Sequence, residues 1–401
     1  MPILHAQESR EQEEEIKVGL VLSGGGAKGL AHVAVLKKLE EAGVRIDYIA
    51  GTSMGAIIGG LYASGYNAHE LDSVLHVYDL NGLVSDELPR EVSSFYQKEH
   101  DGKYAISLPL VKRKIELPSA VSTGQNAFNI FSQLTEHVHE VDDFSNFSIP
   151  FFCIATNLET GEEVVMDKGF LPEAIRASGS FPGLLMPVKV NGKILVDGGI
   201  VDNFPVEKMK EKGVDYIIGV DVSRGLKDIE NLNSLPEILM QIAGFQMYSK
   251  WDDKIQMSDL YIRPELDDFT TFSFDQSEEI IKRGELAMLK VMDTLEALAA
   301  RQKGGLPQRS IKSYPGSDEF MIKEIVIKGN RNYTDKYCIK KLGLEKNEII
   351  GRKDFIRGID VLTATGNFDN RISIIFYIFF NNWSEFEIIE NKEETLIQFG
   401  A

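Results

Sequence analysis

The sequence predicts an α/β domain built on a mainly parallel sheet, followed by a smaller α+β domain. Apolar strand-like runs alternate with amphipathic helices from residue 16 to about residue 300, which is the pattern of a sheet with helical connections. A stretch rich in Gln, Lys, Gly and Pro follows, and beyond it shorter strands and helices are predicted. With 401 residues, 43% of them apolar, the chain can fill two hydrophobic cores.

The first strand–helix–strand unit occupies residues 16–50. Residues 16–22 form an apolar run typical of a buried strand, residues 29–42 have helical periodicity, and residues 46–50 form a second strand. The helix places four apolar residues on one face: Leu30, Val33, Leu36 and Leu39. Such a unit implies a parallel pair of strands joined by a right-handed crossover.

The remaining elements follow from the same patterns. The first domain is predicted to contain helices at 56–64 and 277–300 and further strands at 151–156, 163–167, 194–197, 216–221 and 260–264. The second domain is predicted to contain strands at 320–328, 372–380 and 394–399 and helices at 334–342 and 352–365. The predicted division is an acidic leader (1–15), a first domain (16–300), a linker (301–319) and a second domain (320–401).

Composition argues against several classes of protein. A net charge of −18 disfavours general nucleic-acid binding, which needs clustered Lys and Arg. The two cysteines, Cys153 and Cys338, are far apart and imply neither a disulfide framework nor a metal cluster. The leader reads as a disordered acidic segment, while residues 4–7 also fit the end of a clipped signal peptide, and both interpretations stay open.

A glycine-rich turn, GGGAKG at residues 24–29, lies between the first strand and its helix. Its bare N–H groups can bind a permanent phosphate, as in a dinucleotide fold, or a transient oxyanion. The dinucleotide interpretation also requires an acidic residue at the end of the second strand, where it binds the ribose. The acid here, Asp47, is at the start of that strand, so a dinucleotide-binding oxidoreductase is the weaker alternative.

The second strand ends in GTSMG at residues 51–55, which fits the G-x-S-x-G turn around a serine nucleophile. Gly51 and Gly55 permit the sharp strand-to-helix elbow that exposes the hydroxyl of Ser53. This turn and the glycine-rich turn both follow parallel strands, so we expect them at the same edge of the sheet, where the loop can stabilise an oxyanion formed at Ser53. The predicted oxyanion loop comprises Gly24, Gly25, Gly26 and Lys28.

A serine nucleophile needs a base, and histidine is a poor candidate for it in this chain. None of the seven histidines follows residue 139, although a hydrolase triad usually ends in a late histidine. His137 and His139 fall in what reads as an exposed helix end, and His32 is better explained by packing or solvation. Asp197 ends an apolar strand and precedes two glycines, which suits either a general base or a plain turn cap.

In this order, GGGAKG, GTSMG and DGG at residues 197–199 resemble the three motifs of the patatin-like phospholipases, and the resemblance covers about residues 17–221. It implies a three-layer α/β/α fold with a mainly parallel sheet. It also implies a serine hydrolase with Ser53 as nucleophile, Asp197 as general base and an acyl-serine intermediate, acting on a phospholipid or another acyl-ester lipid. Neither a metal nor a cofactor is expected.

Two further segments are interpreted through the same resemblance. Residues 177–188 resemble the family's segment before the base strand, and their apolar side chains form either an acyl-binding groove or ordinary core. The candidates for the groove are Phe181, Leu184, Leu185 and Met186. Residues 80–122 are the least predictable part of the domain and could form a lid or a lipid-facing flap.

The second domain is similar to a POTRA module, in which a strand, two helices and two strands form a small interaction domain. The resemblance is carried by residues 325–331, 334–344 and 354–369, whereas residues 371–382 lack clean alternation and depart from the pattern. Bacterial proteins with both modules imply a periplasmic or outer-membrane location, contact with a membrane surface and a protein partner for the second domain. A cytoplasmic location is the alternative, and a catalytically idle lipid-binding or assembly module is the alternative function.

Overall fold

The computed structural model describes most of the first domain and parts of the second. The described residues are 15–78, 82, 104–111, 114–115, 120–223, 250–302, 319–322, 325–328, 332–365, 373–375, 384–387 and 395–400, with scattered residues between 225 and 248. The predicted leader (except Glu15), most of the predicted lid and the predicted linker between 303 and 318 lie outside them. No helix within these ranges is long and apolar enough to cross a bilayer.

The strands and helices are named here in chain order. The strands are β1 (Val18–Leu22), β2 (Tyr48–Thr52), β3 (Tyr104–Val111), β4 (Lys114–Ile115), β5 (Ala120–Ser122), β6 (Phe151–Asn157), β7 (Glu163–Met166), β8 (Gly183–Leu185), β9 (Val188–Val190), β10 (Lys193–Asp197), β11 (Tyr216–Val220), β12 (Leu260–Ile262), β13 (Glu319–Met321), β14 (Ile325–Lys328), β15 (Ile349–Gly351), β16 (Ser373–Ile375), β17 (Ser384–Glu387) and β18 (Thr395–Gly400). The α-helices are α1 (Ala31–Glu41), α2 (Met54–Ser64), α3 (Ala68–Val77), α4 (Gln125–Leu134), α5 (Leu171–Ser178), α6 (Val206–Glu211), α7 (Trp251–Met257), α8 (Ser277–Leu289), α9 (Met292–Arg301), α10 (Asp335–Leu342) and α11 (Arg352–Thr363).

One mixed sheet organises the first domain. Its strand order is β12-β11-β1-β2-β6-β10-β9, and β7 also pairs with β6. The five strands from β12 to β6 are parallel to one another. Strands β7, β10 and β9 are antiparallel to the strands they pair with. The sheet is thus mainly parallel, as predicted, with antiparallel strands at one end.

Strands β2 and β10 approach each other head-on along the same edge of β6. Strand β7 pairs with residues 153–156 of β6 and therefore occupies the opposite edge. On the shared edge, Thr52 of β2 pairs with Ile154, and β10 arrives from the other direction with Asp197 beside Ala155. The C-terminal ends of β2 and β10 consequently meet beside adjacent residues of β6.

Helices cover both faces of the sheet and complete a three-layer α/β/α domain. Along β6 the side chains alternate, so that Phe151 and Cys153 join the core on one face while Phe152 and Ile154 join the core on the other. The larger core includes residues of α1 to α5, α8 and α9. The smaller core lies under α6 and is partly covered by α7.

Two predicted helices differ from those in the structure. The helix expected over residues 277–300 is interrupted between α8 and α9, where Val291 leaves the helical conformation with a φ of −122° and a ψ of 5°. The helix expected from residue 29 begins earlier, as a 3-10 turn over Gly26–Leu30, because Gly26 adopts a φ of +56° that starts a tight turn. Only from Ala31 does the chain continue as an α-helix.

The described part of the second domain has its own small sheet and core. Strand β14 runs parallel to β17, which is antiparallel to β16, and helices α10 and α11 lie between β14 and β16 in the chain. The buried core is formed by Ile322, Ile327, Cys338, Leu342, Leu344, Ile350, Phe355, Ile359 and Leu362. The two helices pack closely, because a Cβ at Gly358 would stand 2.0 Å from the carbonyl oxygen of Leu342.

One predicted strand of this domain is corrected. Residues 320–328 are not one strand, since β13 pairs with β15 while β14 joins the β14-β17-β16 sheet. Of the predicted strand 372–380 only β16 is described, and β17 was not predicted. The strand predicted at 394–399 is present as β18 but pairs antiparallel with β3. Unpaired backbone groups on a strand edge can pair with any accessible edge, and sequence alternation does not specify which.

Candidate active site

Ser53 lies on a strained turn between β2 and α2. Its φ of 54° and ψ of −122° are unusual for a residue with a side chain. A Cβ at Gly51 would stand 2.4 Å from the carbonyl oxygen of Gly55, and one at Gly55 would stand 2.2 Å from that of Leu22. Only glycine therefore fits on either side of Ser53, and these glycines allow the turn to be this sharp.

The carboxylate of Asp197 receives a hydrogen bond from the Ser53 hydroxyl. Ser53 Oγ donates to Asp197 Oδ2 at 2.7 Å, and the backbone N–H of Gly199 donates to Oδ1 at 2.7 Å. A Cβ at Gly198 would stand 2.1 Å from the carbonyl oxygen of Ile154, so glycine is required where the chain turns away across β6. The sequence predicted Asp197 at the end of a strand, as a base for Ser53 or a turn cap, and the strand that brings it beside Ser53 is antiparallel to β6.

Burial sets the acidity of Asp197. The side chain is 4% exposed, and desolvation raises the pKa of this carboxyl from 3.8 to about 6, although the hydrogen bonds from Ser53 and Gly199 act in the opposite direction. A carboxylate with this pKa is ionised at neutral pH and is a stronger base than an exposed one. It can accept the proton of a serine hydroxyl that attacks an ester.

Ser178, at the end of α5, holds the backbone of the nucleophile. The N–H of Ser53 donates to Ser178 Oγ at 3.0 Å, and the Ser178 hydroxyl in turn donates to the carbonyl of Ile154. Ser178 therefore links the nucleophile turn to β6. Sequence reasoning did not single out Ser178, although it lies within the segment that resembles the family.

Asn203 clamps the first residue of the glycine loop. Its Nδ2 donates to the carbonyl of Gly24 at 3.1 Å, and its own carbonyl accepts from the N–H of Gly24 at 3.3 Å. A Cβ at Gly24 would stand 2.4 Å from Asn203 Oδ1 and 2.8 Å from Ser53 Cβ. Gly24 thus lies against the nucleophile, but its N–H is already engaged.

The next two glycines have the geometry of oxyanion donors. The N–H groups of Gly25 and Gly26 have no acceptor among the residues that the structure describes. The next N–H of the loop, that of Ala27, is not available to an oxyanion, because it donates to the carbonyl of Thr271 at 2.9 Å. Lys28, included in the predicted oxyanion loop, is only 2% exposed and does not line the cavity beside Ser53.

Asp202, the residue before Asn203, fixes the end of strand β2. The carbonyl of Asp202 accepts from Thr52 Oγ1 at 2.9 Å, and its carboxylate pairs with the ammonium of Lys254, both side chains being almost fully buried. Asp202 therefore holds the residue before the nucleophile while Asn203 holds the glycine loop. Neither was predicted, and their position after the DGG motif is the only signal in the sequence.

The three histidines considered as bases are engaged elsewhere. His32 is fully buried, donates from Nε2 to the carbonyl of Ser23, and has a pKa lowered by burial to about 4. His137 and His139 are half-buried rather than exposed. A ring nitrogen of His137 bonds to the carbonyl of Ser64, and one of His139 bonds to the carbonyl of Glu136. None of the three has a hydrogen bond to Ser53.

An apolar cavity of ≈ 160 Å³ opens at the two candidate catalytic residues. Ser53 and Asp197 line it, together with Phe181, Leu184 and Leu185 of the predicted groove. Met186 does not line it; its N–H donates to the carbonyl of Ser122, beside the β5–β8 pair. A large share of the lining comes from α2, α3 and α4, which the sequence-based prediction did not include.

The described residues contain no group of three or more His, Cys, Asp or Glu side chains that could hold a metal ion. Asp47, the acid weighed for ribose binding, accepts a hydrogen bond from the N–H of Val18 and pairs with Arg45 at the amino end of the sheet. It is therefore remote from the carboxyl edge, where a dinucleotide would need it.

Comparison with known proteins decides which family this site belongs to. The family model described as patatin-like phospholipase matches residues 20–209. These residues form a patatin-like phospholipase domain. That domain is of the serine hydrolase class that cleaves carboxylic esters, and it contains the nucleophile turn, the DGG motif and Asn203.

Among its curated relatives are fungal proteins named lysophospholipase NTE1. The protein of Candida albicans is 29% identical over 316 residues, which cover 73% of this chain and 21% of that protein. The protein of Debaryomyces hansenii is 31% identical over 293 residues, covering 67% of this chain and 17% of that protein. The chain thus spans about a fifth of the length of these relatives.

A distant structural likeness extends over much of the chain. The crystal structure of VipD from Legionella pneumophila superposes with a TM-score of 0.37 and 16% identity, covering 70% of this chain and 67% of that one. The assignment of the patatin-like domain rests on the sequence match, not on this superposition.

Proposed function

We propose that the chain is a lipid acyl hydrolase that works through a Ser53–Asp197 dyad. Asp197 accepts the Ser53 proton as Oγ attacks the ester carbonyl, which forms a tetrahedral oxyanion. Collapse of this intermediate breaks the ester bond, and the leaving alcohol takes the proton from Asp197. Water, deprotonated by the same carboxylate, then attacks the acyl-serine, releases the fatty acid and regenerates Ser53.

One observation carries this proposal: Ser53 Oγ donates a hydrogen bond of 2.7 Å to Asp197 Oδ2, and both residues line an apolar cavity. A nucleophile paired with its base is the arrangement that acyl transfer needs. Gly25 and Gly26 are proposed to donate their N–H groups to the oxyanion. Gly24, included in the predicted oxyanion loop, is proposed instead to hold the loop against Asn203.

We propose a phospholipid or lysophospholipid as the substrate. The apolar lining suits an acyl chain, since its burial is the main source of binding energy. The printed name of the relatives, lysophospholipase, favours a substrate with one acyl chain.

A fluorophosphonate probe tests the dyad. The wild-type protein should be labelled at Ser53, as located by peptide mass spectrometry, and both Ser53→Ala and Asp197→Asn should remain unlabelled while folded. Ser73→Ala, which removes an exposed hydroxyl on α3, is the matched control and should label normally. A folded wild-type protein that is not labelled would refute the proposal and favour a catalytically idle lipid-binding module.

We further propose that residues 320–401 form a POTRA-like interaction domain that binds a protein partner. The order of β14, α10, α11, β16 and β17 supports this, since it contains the strand, two helices and two strands of such modules, with the short strand β15 inserted between the two helices. The periplasmic or outer-membrane location and the contact with a membrane surface are proposed on the resemblance alone, and the relatives named above are fungal. Protease accessibility of a tagged chain in intact and permeabilised cells distinguishes this location from a cytoplasmic one.

A further inference from the structure

Helix α2 has two faces of opposite character. Its glycines face the sheet: a Cβ at Gly59 would stand 3.0 Å from the side chain of Ile49 in β2, and one at Gly60 would stand 3.2 Å from that of Phe151 in β6. Four of its large apolar side chains line the cavity. They are spaced at i, i+3, i+4 and i+7 from the residue after the nucleophile: Met54, Ile57, Ile58 and Leu61.

Helix α4 presents the same spacing to the same cavity. Its lining residues are Ala127, Ile130, Phe131 and Leu134. Two helices that each contribute an apolar stripe two turns long enclose an elongated space rather than a round one. The cavity therefore follows the axis of α2 away from Ser53.

Tyr66 identifies the far end of this space. Its hydroxyl donates to the carbonyl of Leu134 at 2.7 Å, and its backbone N–H donates to the carbonyl of Leu61 at 3.3 Å. Leu61 and Leu134, the last lining residues of their helices, are thus tied to one residue that does not itself line the cavity. Ser53 and Asp197 lie at the other end.

The helix gives the length of the cavity. Ser53 and Leu61 are eight residues apart in the sequence, and a rise of about 1.5 Å per residue places them roughly 12 Å apart along α2. A saturated chain with ordinary bond lengths and angles advances about 1.25 Å per carbon. Roughly nine or ten carbons therefore fit between the ester carbonyl and Leu61.

We propose that Leu61 and Leu134 close the cavity and set the length of the acyl chain that the enzyme hydrolyses. This inference rests on the proposed acyl hydrolase function. Each further methylene group that fits between Ser53 and these two leucines should raise kcat/KM about fourfold, because it is transferred from water into the apolar cavity. Beyond about ten carbons the chain meets Leu61 and Leu134, and kcat/KM stops rising or falls.

The experiment measures kcat/KM for a series of esters that share one chromogenic alcohol and carry acyl chains of about 4 to 16 carbons. Leu61→Trp and Leu134→Trp should each move the optimum to chains roughly two or three carbons shorter, because the larger ring fills the end of the cavity. Leu61→Ala should move it to longer chains. Leu158→Trp, at a residue 53% exposed outside the cavity, should leave the profile unchanged.

The opposite shifts expected from Leu61→Trp and Leu61→Ala separate chain-length selection from simple destabilisation, which lowers activity on every ester alike. A profile that continues to rise to the longest chain, or an optimum that stays fixed in all three variants, would overturn the inference while leaving the dyad intact. If wild-type Ser53 is neither labelled nor active on any ester, the proposed function itself fails, and the chain-length inference fails with it.

Discussion

Replacing Asp197 by Asn is expected to abolish hydrolysis and, at neutral pH, to make the protein more stable. The amide has the shape of the carboxyl and can still accept from the N–H of Gly199, but it cannot take the proton of Ser53. Loss of a general base lowers kcat by roughly 10²- to 10⁴-fold. The gain in stability has a different origin: the wild-type protein must bury the charge of Asp197, and the neutral amide removes that cost.

The magnitude follows from the pKa of Asp197, which is raised from 3.8 to about 6 in the folded protein. The folded state holds this proton more tightly than the unfolded state, so the free energy of unfolding falls as pH rises from about 4 to about 6 and is constant above that range. The ionised carboxylate therefore costs about 3 kcal/mol at pH 7. Asp197→Asn removes this cost at pH 7 and has little effect near pH 3.

Urea unfolding followed by tryptophan fluorescence measures the difference. The chain has two tryptophans, and replacing Trp383 by Phe leaves Trp251, which stacks on Phe204 at 5.5 Å within the first domain. The midpoint at pH 7 should rise by roughly 1 M. Asp252→Asn removes the same charge from an exposed position and should shift it little.

The reasoning about Asp197 would be refuted by an Asn variant that is less stable than the wild type at pH 7. A stability gain that persists unchanged at pH 3 would refute it equally, because the wild-type carboxyl is then neutral in both states. A variant that keeps wild-type activity would show that another group serves as the base.

Three further predictions concern the same region. In the wild type, kcat/KM on a soluble ester should rise tenfold per pH unit below about pH 6 and level off above that pH, because Asp197 ionises there. A pH profile of kcat/KM whose midpoint lies above pH 7 would contradict the role of Asp197 as the base. Asn203→Ala should lower kcat about tenfold or more at constant KM by releasing Gly24, and an unchanged kcat would show that the clamp is dispensable. Cys153 should resist iodoacetamide in the native protein, because burial raises the pKa of its thiol; rapid native alkylation would contradict its buried position.

Local sequence identified the elements that hold the chemistry. The alternation of strands and helices gave the layered, mainly parallel sheet, and the glycines around Ser53 indicated a sharp turn after β2. These features depend on residues close together in the chain: a Cβ at Gly51 would collide with the carbonyl of Gly55, four residues away. Such constraints can be read from a short stretch.

The composition of the cavity was predicted less well. Three of the groove candidates, Phe181, Leu184 and Leu185, line the cavity, but a large share of the lining belongs to α2, α3 and α4. Their apolar stripes look in the sequence like ordinary core stripes. Whether such a stripe packs against another helix or borders a cavity depends on how closely the neighbouring helix approaches, which periodicity does not specify.

The three motifs can be recognised in the sequence alone: a glycine loop, a serine between two glycines and an aspartate before two glycines. How they come together depends on the pairing of strands that are distant in the chain. Strand β10 runs antiparallel on the same edge of β6 as β2, and its register places Asp197 one residue beyond Thr52 along β6. Pairings between residues more than a hundred positions apart, such as that of Ser53 with Asp197, are fixed by packing and by the hydrogen bonds of the whole sheet.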